Sequence, residues 1–147
     1  MADPTFTAHG ELSHDEANEL LDVASAHLRS LVVRQRPDLL AVHNARQAED
    51  SVGHVPQVVA GHIHRTTTSD RRSTLVLTVG STGSTGLGEF TQTDDPRYEA
   101  QILRFSGRTL VAVDRLTLEG RRGSFQISRE VIDRPPLTPE PLKGRFR

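Results

Sequence analysis

Apolar positions recur at helical spacing early in the chain. Leu20, Leu21, Ala24, Leu28, Leu31 and Val32 fall along one face of a helix predicted over 14–35. Ser13 and Glu16 have the S-x-x-E spacing of a capping box at its start, and Arg36-Pro37 ends it. The period then changes. "DLLAVH" at 38–43 and "PQVVAG" at 56–61 are short apolar runs of the kind that form buried strands. "NARQAEDSV" between them is a short helix or turn, closed by Gly53. "TTTSDRRS" at 66–73 reads as a polar loop, "TLVLTVG" at 74–80 as a strand and "GSTGSTGLGEF" as a glycine-rich loop. "YEAQILRFS", "RTLVAVDRLTL" and "GSFQISREVI" then alternate with period two. The turns "SGR" and "EGRRG" join them into an expected antiparallel meander. The last fifteen residues hold four prolines, which predicts an extended or disordered tail. The expected class is α/β, with a domain over 1–133 and the Pro-rich tail over 134–147.

The chemistry stands at the ends of the two early strands. The first ends in His43, and the second runs into Gly61-His62-Ile63-His64. In open α/β sheets the carboxyl ends of the strands are where sites are built, and parallel neighbouring strands would bring the three histidines together. A regular strand would put His62 and His64 on one face, to share an ion. A tight glycine-led loop would let each face a different ion. His9, His14, His27 and His54 lack this context, and for His27 a solvent-facing helix position is expected.

Composition narrows the possibilities. With 147 residues and 35% hydrophobic positions, one domain with a modest core is expected. Acids and bases nearly cancel, 19 against 18, so there is no broad cationic surface for nucleic acid. The chain has no cysteine, which excludes disulfides and thiolate metal sites. No apolar run approaches the ~18 residues that span a bilayer, and no signal peptide is visible. A cytoplasmic location is the expectation. The glycine-rich loop lacks the GK[ST] of a phosphate-binding P-loop and the G-x-G-x-x-G of a dinucleotide site.

"DLLAVHNARQAEDSVGHVPQVVAGHIHR", followed by "VGSTGSTGLG", resembles the C-terminal half of a calcineurin-like metallophosphoesterase. The motifs that carry the resemblance are Val42-His43, the Gly61-His62-Ile63-His64 segment and the glycine-rich loop, in that order. The resemblance covers roughly residues 1–133. It implies a sandwich of two mixed sheets with helices outside. It also implies His43, His62 and His64 as metal ligands, with His43 and His62 serving one ion and His64 the other. The implied cofactors are divalent transition metals, such as Mn, Fe, Zn or Ni, two in a complete family site. The implied substrate is a phosphorylated small molecule or a phosphodiester.

The family's N-terminal motifs, D-x-H, G-D-x-x-D and G-N-H-[DE], have no counterpart here. Without their bridging carboxylate at most one ion is expected on this chain, and little or no hydrolysis by it alone. Self-association, or pairing with an N-terminal half, is expected to cover sheet edges that such a half would otherwise protect. The alternative expectation is a non-catalytic metal-binding or interaction module derived from the same family.

Overall fold

The computed structural model describes residues 13–81, 97–120 and 123–133. Most of the glycine-rich loop and the tail over 134–147 lie outside these residues. The first helix, α1 (His14–Gln35), has the expected capping box: Glu16 N–H donates to the Ser13 hydroxyl and Ser13 N–H to the Glu16 carboxylate. Arg36 closes it in the left-handed conformation, its N–H donating to the Val32 carbonyl. Leu21, Ser25 and Val32 are buried, whereas Leu20 faces solvent.

The strands are β1 (Leu39–Val42), β2 (Gln57–Ala60), β3 (Thr67–Arg71) and β4 (Thr74–Thr78), then β5 (Arg97–Ser106), β6 (Thr109–Glu119) and β7 (Ser124–Val131). A 3-10 helix, η1 (Ala45–Ser51), links β1 to β2 and is capped by Asn44. The first sheet has the order β1-β2-β4-β3, with β1, β2 and β4 parallel and β3 antiparallel to β4. The second is the expected meander, β5-β6-β7.

The first sheet is the middle layer. Val58 and Val76 on one face pack with Val32, Ala48, Val52 and Val55 of the α1 and η1 side. Val59, Leu75 and Leu77 on the other meet Leu103, Leu110, Val113 and Ile132 of the meander. The chain is thus mixed α/β, with a mixed sheet and an antiparallel sheet face to face, as the class predicted from sequence. Among the described residues β1 is an edge strand of the first sheet, and Leu39 and Ala41 on it are exposed.

The polar loop expected over 66–73 is instead the outer strand β3 and a hairpin. Arg71 pairs with Thr74, so Arg72-Ser73 is a two-residue turn, and both residues have positive φ (49° and 66°). That is the backbone a tight hairpin needs, made here without glycine or asparagine. A polar edge strand carries no hydrophobic alternation, so the pattern that found the other strands is blind to it.

Candidate functional site

β1 and β2 pair in parallel from Leu39↔Gln57 to Val42↔Ala60. The next residue on each is therefore His43 and Gly61. Gly61 N–H donates to the His43 carbonyl at 2.9 Å, which extends the ladder by one bond. A Cβ at Gly61 would stand 3.6 Å from that carbonyl oxygen and 3.8 Å from His43 Nδ1. The glycine thus lies beside the His43 imidazole of the neighbouring strand.

Beyond Gly61 the chain leaves the strand abruptly. Ile63 N–H donates to the Gly61 carbonyl at 2.8 Å, closing a three-residue turn around His62. His62 has φ 68° and His64 φ 52°. A positive-φ turn closed by an i to i+2 hydrogen bond is rare and strained. Histidine tolerates this region better than bulkier residues do, but such residues still cost about 1–3 kcal/mol each.

The consequence is a close pair. His62 Nδ1 lies 3.2 Å from His43 Nε2, with the ring centroids 5.1 Å apart and the planes at 73°. Two neutral imidazole nitrogens that face each other need a cation or a proton between them: one ring donates to the other, or both bind one ion. Two nitrogens bound tetrahedrally at the usual zinc distance stand about 3.3 Å apart, so the observed spacing fits a shared ion as well as it fits a hydrogen bond. A divalent transition ion thus suits this pair in ligand type and separation.

His64 does not join them. Among the described residues no group of three or more His, Asp or Glu side chains is placed to hold a metal ion. Positive φ at both His62 and His64 means that the segment is not the regular strand that would set the two on one face. His27 is exposed on α1, as expected, and His54 accepts a long hydrogen bond from Arg29 Nε at 3.5 Å.

A second feature adjoins the turn and had no signal in the sequence. Glu99 Oε2 accepts from both the backbone N–H (3.1 Å) and the hydroxyl (2.6 Å) of Thr66, two residues past His64. Its Oε1 pairs with Arg97 at 2.8 Å. Burial pushes the Glu99 carboxyl up, but the Thr66 hydrogen bonds and the Arg97 charge outweigh it and hold it below the usual carboxylate range. Glu99 lines a polar cleft of about 590 Å³ between β3 and the meander, with Thr66, Thr68, Arg97, Arg115 and Glu130. Arg115 donates to Glu130 at 2.5 Å and to the Thr68 hydroxyl at 2.6 Å, so the cleft's charges are paired within it.

Among the described residues no helix is long and apolar enough to cross a membrane. No protein family model matches the chain, and no curated protein does. Among solved structures, a Vps29 single mutant from Entamoeba histolytica is similar at 18% sequence identity and a TM-score of 0.37. The likeness covers 54% of this chain and 41% of that one, so it spans well under half of that protein, and it is too slight to carry an argument about activity.

Proposed function

We propose that this chain carries the histidine ligands of a divalent-metal site in a phosphoesterase of the calcineurin-like type. Such an enzyme cleaves phosphomonoesters or phosphodiesters at a dinuclear centre. The reading is supported by one observation above all. The two motif histidines that the resemblance assigns to a single ion, His43 and His62, are the two that stand 3.2 Å apart.

In this reading His43 and His62 hold one ion, and His64, exposed beyond the turn, faces the second position. A divalent transition ion bound there supplies Lewis acidity toward a phosphoryl oxygen. This chain's own residues orient the two ligands. The parallel ladder fixes His43, and the turn around His62 swings its imidazole back toward it. Two ions ~3.5–4 Å apart repel strongly unless anionic ligands offset them. Since no carboxylate is grouped with the histidines among the described residues, one ion at most is expected on this chain.

That last observation favours a second reading, a metal-binding or interaction module without catalysis. Turnover of p-nitrophenyl phosphate and its bis ester with added manganese separates the two, alongside calorimetric metal uptake. The expected result for the 147-residue chain is metal uptake that His62→Ala abolishes, with little EDTA-sensitive turnover. Supplying the family's carboxylate motifs on a second chain should then raise turnover, and no rise would favour the non-catalytic reading. Equal metal uptake by wild type and His62→Ala would remove the site altogether.

A further inference from the structure

We infer that Glu99, which lies in the other sheet, is the positioning residue of the histidine turn. The inference rests on the metal-site reading for its purpose but not for its geometry.

The segment from Gly61 to Thr67 is held at two places. At its start, Gly61 N–H donates to the His43 carbonyl. At its end, the Thr78 hydroxyl donates to the Arg65 carbonyl at 2.7 Å and accepts from Thr67 N–H at 3.0 Å. Between the Gly61 and Arg65 anchors lie three exposed residues, His62 to His64, two of them with positive φ. A strained turn on the surface relaxes unless its surroundings hold it, and Thr66 adds three hydrogen bonds to that hold. Its N–H and hydroxyl both donate to one oxygen of Glu99, while the hydroxyl accepts from Gly80 N–H at 3.1 Å.

That arrangement ties three elements at one point: the turn after β2, the end of β4 and the start of β5. Glu99 N–H adds a bond to the Ser81 carbonyl at 2.8 Å. The Glu99 side chain is only 12% exposed, against 60% for its partner Arg97. Gly80 makes room for it. A Cβ there would fall 2.1 Å from Glu99 Oε2 and 2.4 Å from Glu99 Cβ, overlaps that no side chain accommodates without moving the carboxylate. The first glycine of the GSTG run therefore serves the close approach of Glu99 to the turn.

Glu99→Ala should release Thr66 and let the turn relax, displacing His62 from His43. Glu99→Gln keeps an acceptor oxygen for Thr66 and should restore much of the geometry. The direct readout is the imidazole nitrogen and Cε1–H resonances of His43 and His62 in the metal-free protein. They should move in Glu99→Ala and return toward wild type in Glu99→Gln. Zinc affinity should fall about 10–100-fold in Glu99→Ala, the usual cost of losing a residue that orients a ligand. Ser13→Ala, which weakens the distant start of α1, is the stability control and should change neither readout.

Unchanged histidine resonances in Glu99→Ala would overturn the inference, whatever the metal data show. So would an equal loss in Ser13→Ala at matched thermal stability. If wild type takes up no zinc, the metal-site reading falls, and the resonances still decide the role of Glu99. If Glu99→Ala does not fold, Thr66→Val makes the same test from the other side of the contact.

Discussion

His43 and His62 stand nitrogen to nitrogen at 3.2 Å, at the ends of two parallel strands. The contact depends on a turn in which His62 adopts φ 68°. A residue selected for stability alone at such a position would be glycine. His62→Gly should therefore leave stability unchanged or raise it by up to about 1 kcal/mol, the left-handed penalty being partly offset by glycine's greater unfolded-state entropy. Chemical denaturation measures this. A loss of more than about 1 kcal/mol would show that the imidazole contact itself holds the fold.

The outer face of the meander makes a pH-dependent prediction. Asp114 is buried between two half-exposed arginines, accepting from Arg129 Nε at 2.5 Å and from Arg104 Nε at 2.6 Å. The two Arg129 hydrogen bonds, then that of Arg104, hold its carboxyl far below the usual carboxylate range. A group with a depressed folded-state pKa contributes stability above its unfolded value, and that contribution is lost as pH falls toward the folded one. Thermal stability should therefore drop below about pH 4, and less steeply in Asp114→Asn. Parallel pH profiles for the two proteins would contradict the assignment.

Thr74 is a neutral counterpart. Its fully buried hydroxyl donates to the Val55 carbonyl and accepts from Gly53 N–H, both at 2.7 Å. Gly53 sits at φ 91°, in the turn this hydroxyl secures. Thr74→Val keeps the shape and orphans both backbone groups, at about 1–3 kcal/mol each. Urea denaturation should show a loss in that range or above. A variant as stable as wild type would mean that water replaces the hydroxyl.

Legibility in the sequence followed what each residue's partner was. Helix α1 and the meander strands announced themselves by helical or alternating apolar spacing, and β1, β2 and β4 by short apolar runs. β3 did not, since "TTSDR" offers only polar side chains to a sheet edge. His43 and His62 were legible because parallel pairing of β1 and β2 brings their ends together. The separate course of His64 was not, because two left-handed residues cannot be inferred from "GHIH". Glu99 was invisible for a plainer reason. It meets Thr66 from 33 residues away in another sheet, with no motif spacing to mark it.

The meander also predicts solution behaviour. Leu116 and Leu118 of β6 pair with Ile127 and Phe125 of β7, so these side chains share the face that carries Asp114. Phe125, Ile127 and Val131 are 59%, 64% and 73% exposed on β7, an outer strand of its sheet. A second copy can pair with the β7 edge and cover this face in one step. Light scattering should show association that rises with concentration and is suppressed by Ile127→Lys. A cooperatively melting monomer at all concentrations would contradict this.

X-ray absorption on the chain loaded with one equivalent of zinc tests the proposed His43–His62 ion site most directly. Two imidazole nitrogens are expected in the zinc shell, at about 2.0–2.1 Å. Both should vanish in the His43→Ala, His62→Ala double variant, while His64→Ala leaves them in place. Zinc with no imidazole in its shell, or a shell unchanged in the double variant, would mean that the 3.2 Å contact is a hydrogen bond between two histidines and nothing more.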